Sequence, residues 1–283
     1  MTLSYGVFLP PFGVFADPKR LVALSESAER AGWDGVFLWD HMLAGPGMPI
    51  ADAFVVTAAI AQATERVRLG MLVTPLARRR PWVVARQTAT LDRLSAGRLV
   101  VGVGLGHDDR KELSSFSGEP VDAVERAIIL DESLEVIERF WSGEPVDFEG
   151  RKIKVHSPAF LPRPVQQPLP VWVACRVPHR RPLARAARYQ GCFPLFDAGG
   201  WKIPGLPEPE QVAALKADLL DAGASGTIDI VCRGVSCHTL EKELAPCFAA
   251  LEHAGMTWWL ESFGPDEPPA AELEKIVAAG PPR

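Results

Sequence analysis

The segment from residue 29 to residue 41 reads ERAGWDGVFLWDH and contains one complete step from a helix to a strand. Its first residues end a pattern from Lys19 to Ala31 in which apolar residues recur at helical spacing. Gly35 to Trp39 is a short apolar run typical of a buried strand, and the polar residues Asp40 and His41 follow it. Buried strands that alternate with helices form a parallel sheet, so this segment predicts an α/β protein.

The same step recurs along most of the chain. The expected strands are residues 5–9, 35–39, 68–73, 99–103, 171–174, 192–196, 227–231 and 257–263. The expected helices are residues 19–31, 52–64, 81–95, 123–141, 180–188, 208–222, 240–254 and 270–279. Eight such units are typical of a closed (β/α)8 TIM barrel, so we treat residues 1–283 as a single domain. An open doubly wound sheet is the alternative, although no G-x-G-x-x-G motif follows the first strand.

One stretch interrupts this rhythm between the fourth and fifth strands. Pro145 to Val155 is expected to form a hairpin that turns at Glu149 and Gly150. The proline-rich stretch 158–170 is compatible neither with a helix nor with a central strand. Because the alternation resumes at residue 171, we interpret this stretch as an insertion within one barrel rather than as a linker between domains.

The composition excludes several classes of protein. Apolar residues make up 47% and charged residues 23% of the chain, which is typical of soluble globular proteins. A net charge of −5 gives no reason to expect nucleic acid or an anionic membrane as a partner. We find neither a signal peptide nor a long apolar run, and therefore expect a cytoplasmic protein. Cys232, Cys237 and His238 lie close in sequence but lack metal-site spacing, so we expect reduced thiols and no metal.

Several sequence blocks resemble the luciferase-like flavin-dependent oxidoreductases, a family that includes bacterial luciferase and deazaflavin-dependent reductases. The blocks are residues 29–41, 66–70, 73–75, 79–81, 87–98, 102–104, 131–132, 140–143, 148–150, 162–166 and 280–283. They occur in the family's order and cover nearly the whole chain. The resemblance implies a (β/α)8 barrel that holds FMN or the deazaflavin coenzyme F420 across its carboxyl-terminal mouth.

The resemblance also implies which residues contact this cofactor. The expected contacts are Phe8, Trp39, Asp40, Met71, Leu72, Val73, Gly104, Ala174, Cys175 and Arg176. Phe8, Trp39 and either Trp258 or Trp259 would supply apolar walls, although an aromatic residue on a barrel strand more often belongs to the core. Residues 71–73 lie where the family often has a bulge with a non-proline cis peptide, the alternative being a regular strand.

Two histidines are the expected catalytic residues. His41 matches an active-site histidine of the family, and an imidazole can exchange a proton near neutral pH. Asp40 either orients His41 or caps the next segment. His107 follows the fourth strand, where the glucose-6-phosphate dehydrogenases of the deazaflavin branch carry a catalytic glutamate. This departure leaves an acid–base role open but puts sugar-phosphate specificity in doubt.

The fifth strand ends at Ala174, and Cys175 and Arg176 follow it, where many relatives have a Gly-Gly turn that binds the cofactor phosphate. The guanidinium of Arg176 suits a phosphate, so phosphate binding is compatible with the loss of the glycines. The basic run Arg78 to Arg80 is expected to enter the third helix near the mouth, with contact to an anionic cofactor tail as a minor alternative.

We therefore expect an oxidoreductase that uses reduced FMN or F420 to oxygenate or reduce a small organic substrate, and that forms a homodimer, as is common in the family. The alternatives are a non-catalytic flavin-binding barrel and a lyase or aldolase without a redox cofactor. A lyase would need a Schiff-base lysine or metal ligands at strand ends, and Lys202 is the only candidate lysine we identify.

Overall fold

The computed structural model of the chain describes residues 2–196, 207–236, 241–264 and 270–282. The strands are β1 (Ser4–Leu9), β2 (Gly35–Leu38), β3 (Arg68–Pro75), β4 (Leu99–Gly104), β5 (Val146–Glu149), β6 (Lys154–Ser157), β7 (Val171–Val177), β8 (Gly191–Phe196), β9 (Asp229–Gly234) and β10 (Trp258–Ser262). The helices are α1 (Pro18–Arg30), α2 (Ala53–Ala63), α3 (Pro81–Leu94), α4 (Ala123–Ser142), α5 (Arg180–Ala186), α6 (Pro209–Asp221), α7 (Glu241–Ala254) and α8 (Ala270–Ala279).

Eight parallel strands close into a barrel in the order β1, β2, β3, β4, β7, β8, β9 and β10, and β10 pairs with β1. The predicted TIM barrel is therefore confirmed, and the open doubly wound sheet was wrong. The hairpin of β5 and β6 forms a separate antiparallel sheet between the fourth and fifth barrel strands, where the sequence predicts an insertion.

Local signals fix where the helices begin and end. The Asp17 carboxylate accepts the backbone N–H of Lys19 at 2.9 Å, so Asp17 caps α1 and the helix begins at Pro18. Asp122 caps α4 in the same way by accepting the N–H of Glu125 at 2.8 Å. Gly143 ends α4 with φ +80°, a left-handed conformation that glycine adopts without a steric penalty.

Two barrel strands, β7 and β9, extend three residues further toward the mouth than the sequence predicts. We expected β7 to end at residue 174, but Cys175, Arg176 and Val177 stay paired with the end of β8. We expected the strand near residue 227 to end at residue 231, yet β9 continues to Gly234, which pairs with Glu261. Polar residues mark a change of environment rather than the end of backbone pairing, so the sequence pattern placed both strand ends too early.

Side chains of the barrel strands form two separate hydrophobic cores. The outer core lies between the strands and the helices, and the inner core fills the barrel. The inner core consists of Phe8, Phe12, Phe37, Trp39, Leu72, Val100, Trp172, Phe193, Val231, Trp258 and Leu260. Its lower part is a cluster of Phe37, Trp172 and Trp258, whose ring centroids lie 5.2–5.9 Å apart. This aromatic cluster closes the amino-terminal end of the barrel, which we call the foot.

Carboxylates attach the inserted segment to the barrel. Glu132 on α4 accepts the backbone N–H groups of Lys152 and Ile153 at 2.9 Å, which holds the turn of the hairpin. Asp92 on α3 accepts the N–H groups of Val165 and Gln166 at 2.7 and 2.9 Å. The proline-rich stretch is therefore anchored by backbone hydrogen bonds although it has no regular secondary structure.

Some features expected from the sequence bear on thiols, metals and membranes. Cys175, Cys192 and Cys232 are buried free thiols, whereas Cys237, His238 and Lys202 lie outside the described residues. In the described parts of the chain, no group of three or more metal-ligating side chains comes together. No helix in those parts is long and apolar enough to span a membrane.

Candidate active site

His41 follows β2 at the mouth of the barrel and is held by a carboxylate. Its Nδ1 lies 2.9 Å from Oε2 of Glu112, which belongs to the loop between β4 and α4. The same carboxylate accepts the backbone N–H of Leu43 at 3.0 Å. Burial opposes ionisation of this carboxyl, but its contacts with His41, Leu43 and Arg78 outweigh burial and lower the pKa of Glu112 to about 2. An ionised carboxylate on Nδ1 fixes the orientation of the imidazole ring.

A cluster of ion pairs lies next to the His41–Glu112 pair. Asp40 has a side chain only 2% exposed, and its carboxylate binds Arg79 at 2.8 Å and Arg78 at 3.1 Å. Arg78 also lies 3.4 Å from Glu112, so it connects the two carboxylates. The basic run therefore enters α3 near the mouth, as expected, with two of its arginines turned onto buried carboxylates. Asp40 is placed to orient the segment that carries His41.

His107 lies beside His41. The centroids of the two imidazole rings are 6.4 Å apart, although 66 residues separate them along the chain, as the sequence numbering shows. Burial lowers the pKa of His107, and the nearby His41 lowers it further, while Asp109 at 3.5 Å opposes both. A lowered pKa favours the neutral imidazole at neutral pH, which is the form that accepts a proton.

Five of the predicted cofactor contacts face the inside of the barrel. Phe8, Trp39, Leu72, Val73 and Ala174 belong to the inner core or pack against it. The ring centroids of Phe8 and Trp39 lie 5.3 Å apart, so these two side chains form one aromatic wall. The ring faces of Phe8 and Trp39 are apolar, which suits contact with a flat ring.

Two other predicted contacts face the opposite way. Met71 and Cys175 belong to the outer core, between the strands and the helices. The Met71 sulfur accepts a hydrogen bond from Thr57 on α2, and the Cys175 sulfur lies 2.8 Å from that of Cys192. Alternation of side chains along a strand explains this placement, since neighbours of an inward residue point outward. These two residues can reach a ligand in the barrel only through their backbone.

The bulge expected at residues 71–73 is present. The peptide bond between Leu72 and Val73 is cis, and the register between β3 and β4 shifts between Met71 and Thr74. Gly104, at the end of β4, lies against this bulge. A Cβ at Gly104 would come within 3.0 Å of Val73 and 3.3 Å of Ala174, so the glycine keeps space open between them.

The walls of the mouth also carry polar atoms that suit a ligand. The indole Nε1 of Trp39 and the Oγ of Ser262 are buried and have no hydrogen-bond partner among the described residues. Both residues lie on the inner side of the barrel, because Ser262 alternates with the inner residues Trp258 and Leu260. Buried polar atoms are usually paired, so these two atoms fit a bound molecule with hydrogen-bonding groups on its edge.

Arg176 lies on β7, two residues beyond Ala174, and therefore faces the same side as that inner residue. It is exposed and pairs in register with Leu195 of β8. Arg185, by contrast, lies on the short helix α5 and pairs with Asp131 on α4. Arg176 thus faces the inner side of the barrel at the end of β7, whereas Arg185 does not.

Sequence reasoning left one aromatic choice open and missed three residues. Trp258 belongs to the foot cluster, whereas Trp259 faces outward and packs on Phe248 at 5.2 Å. The missed residues are Glu112, Arg233 and Ser262. Glu112 lies in an irregular loop whose sequence shows no periodicity. Arg233 lies beyond the predicted end of its strand, and Ser262 lies in a strand that we interpreted as apolar. The only available signal was the alternation of side chains on β9 and β10.

The sequence matches a family model over residues 3–198, more than half of the chain, and the model describes luciferase-like monooxygenases. The chain belongs to this family. Among its curated relatives is an F420-dependent glucose-6-phosphate dehydrogenase of Intrasporangium calvum, 36% identical over 181 residues, which are 62% of this chain and 51% of the relative. Another is the enzyme of the same description from Rhodococcus erythropolis, 33% identical over 196 residues, or 68% of this chain and 54% of the relative. The chain thus spans about half the length of these relatives.

Two solved structures have the same fold as this chain. The F420-dependent tetrahydromethanopterin reductase of Methanopyrus kandleri has a TM-score of 0.76 at 18% identity, with 99% of this chain and 97% of that chain covered. An F420-dependent secondary alcohol dehydrogenase has a TM-score of 0.76 at 17% identity, with 99% of both chains covered. At such identities the likeness shows the barrel fold alone.

Proposed function

We propose that this chain is an oxidoreductase that transfers a hydride between coenzyme F420 and a small organic substrate. The observation that carries the proposal is the pair His41 and His107, whose rings lie 6.4 Å apart beside the aromatic wall of Phe8 and Trp39. An apolar surface next to two proton-exchanging groups is what hydride transfer between a flat ring and a polar substrate requires.

Each group of the site has a proposed task. Bound F420 would supply a ring carbon that exchanges a hydride with the substrate. Trp39, Leu72 and Val73 hold the ring and exclude water. The Nε2 of His41 moves a proton to or from the substrate oxygen while Glu112 keeps the imidazole oriented. His107 stabilises that oxygen or exchanges the proton in its place.

F420 is favoured over FMN because the curated relatives named above are F420-dependent. FMN stays consistent with a family described as monooxygenases. A non-catalytic binder would have no need for His41 to be held by a buried carboxylate, so the His41–Glu112 contact at 2.9 Å supports an enzyme. We limit the substrate to a small organic molecule, because the resemblance implies a glutamate where this chain has His107.

Parallel titration with F420 and with FMN tests the proposal. We expect the fluorescence of F420 to change on binding with a dissociation constant in the micromolar range or below, and FMN to bind more weakly. Tighter binding of FMN would transfer the proposal to a flavin monooxygenase. Binding of neither compound would contradict a redox function at this site.

Arg176 is proposed to bind the cofactor phosphate, since it faces the inner side of the barrel at the end of β7. Replacement Arg176→Ala should weaken binding of F420 about tenfold or more, the cost of losing one charge-assisted hydrogen bond. The deazaflavin without its phosphate should bind the variant and the parent protein equally. Equal losses for both compounds would contradict the phosphate role.

A further inference from the structure

Arg233 is a cation inside the barrel that sequence reasoning missed. On β9, Val231 belongs to the inner core and Cys232 to the outer core, so the alternation directs Arg233 inward. Its register partner on β10 is Leu260, which also belongs to the inner core. The guanidinium carbon lies 5.9 Å from the ring centroid of Phe193.

A continuous series of rings connects Arg233 to the candidate active site. Phe193 contacts Phe8 edge to face, with centroids 5.9 Å apart, and Phe8 packs on Trp39 at 5.3 Å. Trp39 in turn lies 6.1 Å from His41. Arg233 and His41 therefore lie at the two ends of one row of contacting aromatic rings.

The charge of Arg233 lacks a counter-charge within the described part of the chain. Burial lowers the pKa of Arg233 to about 10, and no neighbouring carboxylate opposes this effect. The acidic side chains of the candidate active site are engaged with other residues: Glu112 binds His41, and Asp40 binds two arginines. Glu261 on the adjacent strand alternates with inner residues and accepts hydrogen bonds from Ser236.

A half-buried guanidinium without a carboxylate is costly to keep, and its contact with one aromatic ring offsets only part of that cost. Its planar fork of N–H donors matches the oxygens of a phosphate or a carboxylate. We propose that Arg233 binds an anionic group, a phosphate or a carboxylate, of a ligand that enters the barrel mouth. This inference rests on the proposed function, since it places the anion in the same cavity as the cofactor.

Inorganic phosphate is the probe that tests this inference without knowledge of the substrate. Calorimetric titration should show one phosphate bound by the parent protein and at least about tenfold weaker binding by Arg233→Gln, because a charge-assisted contact is lost. Arg233→Lys keeps the charge but not the fork and should lie between the two. Arg30→Gln, an exposed change at the end of α1, should leave the affinity unchanged. Equal affinity of Arg233→Gln and the parent protein, or no phosphate binding by the parent, would overturn the inference.

Thermal unfolding gives a second test that does not depend on how well a binding curve is resolved. Arg233→Met replaces the uncompensated cation with an apolar side chain of similar length. The ligand-free variant should melt at the same temperature as the parent protein or higher, and phosphate should raise the melting temperature of the parent only. A clear loss of stability in ligand-free Arg233→Met would show that the guanidinium has a structural partner, contrary to the inference.

Repeating the phosphate titration with saturating F420 distinguishes the source of the anion. Binding that persists and still depends on Arg233 would assign the anionic group to the substrate. Phosphate binding that F420 abolishes would assign it to the cofactor. If the parent protein fails to bind F420 but binds phosphate through Arg233, the proposed function fails while the anion site stands.

Discussion

His41 is held by a carboxylate that lies 71 residues further along the chain. The contact is buried, with the side chain of Glu112 4% exposed and that of His41 14% exposed. Such a buried pair keeps the imidazole in one orientation before any ligand arrives, which is the preorganisation that proton transfer needs. Two predictions at the scale of single residues depend on this contact.

Replacement His41→Ala should slow hydride transfer by about a hundredfold or more, the usual contribution of a positioned acid or base. Under the proposed function, the affinity for F420 should change by less than tenfold, because the aromatic wall of Phe8 and Trp39 would remain intact. Single-turnover kinetics and fluorescence titration measure the two quantities separately. An unchanged rate constant would assign His41 a structural role.

Replacement Glu112→Gln should remove a contribution to the free energy of unfolding that varies with pH. The pKa of Glu112 is about 2 in the folded protein, below its ordinary value of 4.5, so the ionised form is favoured by folding. That contribution is fully present above pH 4.5 and is lost as the pH falls toward 2. The difference in melting temperature between the parent and the variant should therefore be constant from pH 7 to pH 5 and shrink below about pH 4.5.

Glu135→Gln serves as the matched control for this experiment, because Glu135 forms an exposed pair with Arg139 on α4. Its melting temperature should stay close to that of the parent at every pH. A difference between parent and Glu112→Gln that does not vary with pH would show that the carboxyl is not held ionised by its contacts.

At the scale of elements, β3 and β4 approach each other more closely than side chains allow. A Cβ at Gly102 would lie 2.1 Å from the Leu72 side chain and 2.3 Å from the carbonyl oxygen of Met71. A Cβ at Gly70 would lie 2.0 Å from the carbonyl oxygen of Val100. These glycines let the bulge at residues 72 and 73 press against β4, which positions Val73 beside Gly104.

Replacement Gly102→Ala should therefore lower the free energy of unfolding by about 1–3 kcal/mol or more, as overpacking does elsewhere. Gly226→Ala is the control, because a Cβ there meets nothing within 4 Å and the backbone conformation is open to alanine. The control should be neutral or slightly stabilising. Urea unfolding of both variants measures the difference, and equal stability would mean that β4 can move away from the bulge.

The alternation of strands and helices predicted the barrel, because each helix and strand carries its own local signals. Side-chain direction was harder to predict, since a bulge or one extra paired residue reverses which face a side chain takes. The family resemblance placed Met71 and Cys175 at the cofactor without fixing which way their side chains point, and both point outward. Arg233 was overlooked. Glu112 reaches His41 through the packing of the loop after β4 on the segment after β2, a long-range contact that no local pattern contains.

At the scale of the whole molecule, a cofactor that binds only the folded barrel should stabilise all of it. F420 at a hundred times its dissociation constant should add about 2.7 kcal/mol to the free energy of unfolding. His41→Ala should gain about the same amount, since it is expected to lose chemistry rather than binding. Urea titration with and without F420 measures both gains. A smaller gain for the parent than its titrated affinity requires would mean that the unfolded chain also binds F420.

Among the described residues, the cluster of Phe37, Trp172 and Trp258 closes the foot, so a ligand of the inner barrel is expected to enter through the mouth. Two ligands that enter through the same mouth must bind one after the other. Under the proposed function, a cofactor ring that contacts Phe8 and Trp39 inside the barrel would have to arrive before its reaction partner and depart after it. Steady-state kinetics should then show compulsory order, with excess substrate trapping the cofactor inside rather than competing with it.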